Sequence, residues 1–187
     1  MPANASPRRD ELLELAYRYA LEHGAADLSL RPLAAAVGSS PRVLLFLFGS
    51  KAGLVQAVLA RARKDELALL ERARRSAADP PDNGDPLAVT AEVWAWLAAE
   101  EHRSLLKLWV EGYARSLIEP DGPWGGFAAA TVADWLGVLG EATPDTVLRT
   151  LLLAVLRGAM LDLLATGDVE RVSGAVRRQL ELLRSVR

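Results

Sequence analysis

Apolar residues recur along the chain at three- and four-residue steps, and the strict alternation of a half-buried strand is missing, so an all-α fold is expected. The breaks fall at turn formers. Gly24 stops a first helix over 8–23, whose inner face carries Leu12, Leu15, Ala16, Tyr19 and Ala20. Ser29 reads as the cap of a short helix over 30–37, with Pro32 in the first turn, where its missing N–H is tolerated. After Gly38, Ser40 caps and Pro41 opens a helix over 41–48. Gly49 and Ser50 then precede a long helix over 51–76. Five more helices are expected over 87–100, 102–118, 124–139, 145–165 and 169–186, about nine in all. The clearest loop is 79–86, rich in Pro, Gly and Asp.

Composition narrows the classes. A chain of 187 residues, 51% hydrophobic and 25% charged, suits one compact globular unit. The net charge of −2 sets up no global field for nucleic acid, but the charge is unevenly placed. Residues 1–75 hold twelve cations and eight acids, whereas 76–187 hold ten and sixteen. A basic front on an acidic back suits a DNA-facing head on a body that does not touch DNA. There is no cysteine, which excludes disulfides and thiolate chemistry, and His23 and His102 are the only imidazoles, so no metal or other cofactor is expected. The N-terminus lacks the apolar run of a secretory signal and reads as a short flexible arm. The most apolar stretch, 147–165, is interrupted by Arg149, Arg157 and Asp162, so a buried helix explains it better than a membrane span. A cytoplasmic location is expected. No phosphate-binding glycine loop or nucleophile elbow is present, and paired acids such as Glu100 and Glu101 have ordinary helix-surface spacing, so no catalytic residues are expected.

Two short helices joined at Gly38-Ser39-Ser40, with a helix before and another after, are the elements of a helix-turn-helix, although a purely structural helical corner has the same parts. The register is more specific. Gly38, Ser39, Ser40, Leu44, Phe48, Gly49, Ser50, Lys51 and Leu54, with Ala16, Gly24, Ser29, Leu33 and Ala34 upstream, resemble the head of the TetR family of transcriptional regulators. That resemblance implies a DNA-binding head of three helices with its N-terminal arm over 1–55, joined by the long fourth helix to a helical effector-binding and dimerisation body over 56–187. It places Ser29 and Lys51 close to phosphates, and Arg42 where a guanidinium can meet guanine O6 and N7. Ser40, Leu45 and Phe46 complete the expected DNA-facing set, with Arg8 and Arg9 nearby, while Leu44 and Phe48 fit core positions. The chain departs from the family at Leu45, where a tyrosine is usual, and at Leu47, where a polar aromatic or histidine is frequent. The result is an unbroken apolar run, 43–48, on a helix that needs one wet face. It suits thymine methyls, a head that binds DNA weakly, or a head that binds a protein partner.

All five tryptophans follow residue 90. Trp96, Trp109, Tyr113, Phe127, Trp135 and Met160 are candidates to wall a pocket for a small apolar effector; the alternative is that they simply fill a helical core. The helix over 145–165 carries two apolar rows, one through Val147, Leu151 and Val155 and one through Leu148, Leu152, Leu156 and Met160, too broad for a helix that buries one side. Leu152, Leu156, Gly158, Leu180 and Leu183 are therefore assigned to a homodimer interface, which the family resemblance also implies. The last helix has Arg171, Arg177, Arg178 and Arg184 on its wetter side, which would also suit a membrane surface, but it lacks an aromatic anchor. The partners expected are operator DNA, a small-molecule effector and a second copy of the chain, with no membrane.

Overall fold

The computed structural model describes residues 6–25, 28–77 and 85–185, which leaves the expected N-terminal arm and most of the 79–86 loop outside the described residues. The chain runs through α1 (Pro7–His23), α2 (Leu30–Ala36), α3 (Pro41–Phe48), α4 (Lys51–Ala77), α5 (Pro86–Ala98), a 3₁₀ turn (Glu100–His102), α6 (Arg103–Ile118), α7 (Phe127–Gly140), α8 (Thr146–Thr166) and α9 (Val169–Ser185). No strand occurs among the described residues, and none of their helices is singly long and apolar enough to cross a membrane.

Side chains at the helix ends explain the boundaries. The Ser6 hydroxyl accepts from Arg9 N at 3.2 Å, Ser40 from Val43 N at 3.3 Å, and Asp85 from Leu87 N at 3.2 Å. Asp145 Oδ1 accepts from both Val147 N and Leu148 N, at 2.9 and 3.1 Å, which starts α8. At its other end the Gly167 amide donates to Leu163 O at 2.8 Å. Two boundaries differ from the sequence expectation by more than one residue. The fifth helix ends at Ala98 and gives way to the 3₁₀ turn, and the seventh begins at Phe127 instead of 124. Residues 119–126 form successive turns, with Gly122 N donating to Glu119 O and Gly125 N to Gly122 O, both at 3.0 Å. Trp124 is buried within those turns.

Contacts divide the chain into two compact units, Met1–Asp65 with Ser104–Ala130, and Glu66–Arg103 with Thr131–Arg187. In the second, α5, α8 and α9 pack on one another around Leu97, Leu152, Leu156, Met160, Val176 and Leu180. Trp94 Nε1 donates to Ser173 Oγ at 3.1 Å and so ties α5 to α9. In the first unit α1 supplies Leu12, Ala16, Tyr17 and Ala20 to the core. Tyr17, not Tyr19, is the buried tyrosine; Tyr19 is half-buried and stacks on His23. The choice is made by α4. Arg61 bonds Glu14 of α1 and Asp65 one turn on, its guanidinium lies 4.9 Å from the Tyr17 ring centroid, and the Tyr17 hydroxyl donates to Asp65 at 2.9 Å.

This network holds the Tyr17 phenol well above its ordinary pKa, first through burial and then through the bond to Asp65. A raised folded-state pKa gives stability that is fully present below the unfolded value of about 10 and is lost as pH rises beyond it. Urea unfolding at about pH 8 and about pH 11 should therefore show a steep alkaline loss. Tyr17→Phe should make that loss shallower while costing about 1 kcal/mol at the lower pH. An unchanged alkaline slope in the variant would contradict the assignment.

Candidate nucleic-acid interface and effector cleft

The helix-turn-helix is built from the inside. Leu33 and Ala34 of α2, Val37 of the turn, and Leu44 and Phe48 of α3 are buried in the first unit with the inner face of α1. Between the two helices Gly38 takes φ +61°, which an L side chain rarely adopts, while Val37 N and Ser39 N donate to Leu33 O and Ala34 O at 2.9 and 2.8 Å. After Phe48 the chain bends by 70° into α4. A Cβ at Gly53 would stand 2.2 Å from the Phe48 carbonyl oxygen, so this position must be glycine for the end of α3 to reach the start of α4. The Ser50 hydroxyl accepts from Gly53 N at 2.9 Å and completes the corner.

The face left outward carries most of the residues assigned to DNA. Ser40, Arg42, Leu45, Phe46 and Lys51 are all exposed, with Val43 beside them, and Leu47 is half-buried. Ser29 stands at the first position before α2 and is exposed, but its side chain makes no capping bond, contrary to the sequence expectation. Arg8 pairs with Glu11 at 2.7 Å, and Arg9 lies 5.0 Å from the Phe48 ring centroid, so Arg9 also holds α1 against the end of α3. Residues 28–64 contain six cations and no acid, a local bias that the overall charge of −2 conceals.

The pocket candidates divide between the two units. Trp109, Tyr113 and Phe127 belong to the first, and Trp96, Trp135 and Met160 to the second, so neither unit gathers all six. In the second, Trp96 stacks on His102 at 4.2 Å, Trp135 Nε1 donates to the buried Glu66 carboxylate, and Met160 is core. In the first, the Trp109 and Tyr113 rings lie 5.4 Å apart. A Cβ at Gly112 would come within 3.0 Å of the Phe127 ring and 3.2 Å of Leu59, so α6 is bare where Phe127 and α4 meet it. The Ser116 hydroxyl accepts from Ala128 N at 3.1 Å and fixes the start of α7. Phe127 then walls an open cleft of about 360 Å³ together with Gln56, Leu59, Ala60, Arg63, Pro123, Trp124, Gly125, Gly126 and Ala130. Trp124 and the α4 residues of this cleft are not among the candidates expected from aromatic clustering. The spacing of Gln56, Leu59, Ala60 and Arg63 along one helix face was the available signal.

Residues 12–58 match the family described as bacterial regulatory proteins, tetR family. The multidrug binding protein EbrR, in a complex with imidazole, superposes with a TM-score of 0.69 at 26% identity over 95% of this chain and 93% of that one. Residues 12–58 resemble a tetR-family head, and the chain shares the fold of EbrR. A proflavin complex of EbrR gives a TM-score of 0.64 at 26% identity, covering 91% and 98% of the two chains. GusR of Salmonella enterica has the same fold, with a TM-score of 0.65 at 20% identity and 96% of each chain covered. No curated protein matches the sequence.

The residues assigned to a dimer seam need correction. Leu152 and Leu156 are fully buried in the single chain and Leu180 almost so, because that row of α8 faces α5 and α9. They cannot be the surface a second copy meets. Gly158 is exposed and Leu183 half-buried. The exposed row of α8 runs instead through Val147, Leu151, Ala154, Gly158, Leu161 and Ala165.

The corner between α3 and α4 yields a direct check on the head. Gly53→Ala should destabilise the chain by about 1–3 kcal/mol, because the new methyl meets a backbone oxygen that no rotamer change can move. Chemical denaturation measures this, and a variant as stable as the parent would contradict the contact.

Proposed function

We propose that the chain is a cytoplasmic, homodimeric transcriptional repressor. In this reading residues 1–55 bind a palindromic operator, and a small apolar effector in the body, 56–187, releases it. The observation that carries the DNA-binding part is the outward face of the helix-turn-helix. Arg31, Arg42 and Lys51 are exposed on the acid-free stretch 28–60, with Ser40 at the start of α3. Cations there neutralise phosphates, and the first turn of α3 brings Arg42 to base edges. The effector part is supported by the cleft against Trp124 and Phe127, whose volume of about 360 Å³ is that of a small-molecule site. It is supported also by the likeness to EbrR, described as a multidrug binding protein complexed with imidazole and proflavin.

Dimerisation is assigned to the exposed row of α8. Steps of four and three residues from Val147 to Ala165 are the spacing of a helix-packing seam. Gly158 has open space around its missing side chain in the single chain, which leaves room for a second helix. Replacing Leu151 and Leu161, both exposed, by Glu should give soluble monomers in sedimentation at micromolar concentration with helix content unchanged. A variant that stays dimeric would move the seam elsewhere.

The exposed Phe46 supports a second reading, in which the head binds a protein partner or DNA only weakly. A low-salt anisotropy titration on the upstream region separates the two. The repressor gives a specific sub-micromolar complex; the alternative gives weak binding without site preference. For the repressor, Lys51→Ala lowers the salt dependence by about one phosphate contact, and Arg42→Ala costs about 1–3 kcal/mol and relaxes sequence preference.

A further inference from the structure

The outward face of α3 has an unusual balance of chemistry. Between Ser40 and Phe48 its exposed side chains are Arg42, Val43, Leu45 and Phe46, one cation beside three apolar groups. Phe46 is 84% exposed, the highest value among the exposed large hydrophobic residues. Its helix is held from behind by Leu44 and Phe48, so the ring cannot turn inward without displacing the core. Val43 and Phe46 lie three residues apart on one face, about 4.5 Å along the helix axis, so the apolar groups extend over about one to two base-pair steps.

A groove that covers this face must offer apolar surface amid negative charge, because Arg31, Arg42 and Lys51 are exposed and 28–60 holds no acids. Duplex DNA meets both conditions at one kind of position. Every base pair presents donors and acceptors in the major groove, whereas the only apolar group there is the C5-methyl of thymine. We propose that this head reads sequence chiefly through thymine C5-methyl groups, with Phe46 as the principal contact and Val43 and Leu45 beside it. Arg42 supplies the hydrogen-bonded base contact. The inference rests on the DNA-binding reading above and adds which feature of the bases is read. It also implies that 5-methylcytosine, which carries its methyl at the same place in the groove, substitutes for thymine at these contacts.

The test uses the full chain and a duplex selected by it from a random-sequence pool. That duplex is made again with every thymine replaced by uracil, which deletes the methyls and leaves the phosphates and hydrogen-bonding edges in place. The wild-type Kd should rise by about fourfold for each methyl fully covered. Phe46→Ala, an exposed position where folding is not at stake and a thermal melt verifies this, should bind the thymine duplex more weakly and reduce the thymine-to-uracil difference to the residual share of Val43 and Leu45. Equal wild-type affinity for the two duplexes would overturn the inference, as would a Phe46→Ala loss that is the same on both, the mark of a ring wedged between base steps. A specific complex indifferent to uracil removes only this inference. A selection that returns no preferred duplex removes the DNA-binding reading and the inference with it.

Discussion

The Arg61 guanidinium, held between Glu14 of α1 and Asp65 of α4 and lying over the Tyr17 ring, is the constraint on which the N-terminal architecture depends. These groups are only partly buried, so the ion pairs are screened and their worth lies in geometry more than in raw stability. An arginine satisfied by two carboxylates and an aromatic face has one orientation, and that orientation sets α1 against α4. The position of α3 follows. It is fixed at one end by the turn at Gly38 and at the other by Gly53, and Arg9 of α1 covers Phe48. The outward face, with Arg42, Phe46 and Lys51, is therefore a consequence of inward contacts far from any ligand. A change at Glu14 or Asp65 would disturb that face without touching it.

Much of the fold was legible because its punctuation is chemical. Ser40-Pro41, Asp145, Gly24 and Gly167 each mark a helix end by a hydrogen bond or a backbone preference that local sequence encodes. Trp124 escaped for the same reason in reverse. The Pro-Asp-Gly-Pro run before it marks a turn, but nothing local says that the turns continue through Gly126, where φ is +76°. Tyr17 and Tyr19 sit about 160° apart on one helix, at opposite edges of the stripe through Leu12, Ala16 and Ala20, and only the distant Asp65 and Arg61 decide which is buried.

The site was less legible than the fold. On α8 the sequence shows two apolar rows but not which one faces its own chain; α5 and α9 take Leu152 and Leu156, and the row through Leu151, Gly158 and Leu161 is left outward. Of the pocket candidates only Phe127 lines the cleft beside Trp124, and the six are spread over two compact units. The cleft beside Phe127 depends on a bare position, Gly112, and on a tryptophan in a turn, features that clustering by residue type does not detect. The residues assigned to DNA are exposed, as that role requires, and an exposed face on a two-helix motif is defined by which neighbours are core. Ser29 is the exception, exposed as required but without its expected cap.

The central claim is that α3 of each copy in a two-fold dimer enters the major groove of a palindromic site. Hydroxyl-radical footprinting and guanine-methylation interference on the selected duplex, with the full chain, measure this directly. The account predicts two symmetric patches on one face of the duplex, their centres about 34–36 Å apart or a multiple of that, with interference in the major groove. Uniform protection without a repeat, or a single asymmetric patch from a dimeric protein, would contradict it.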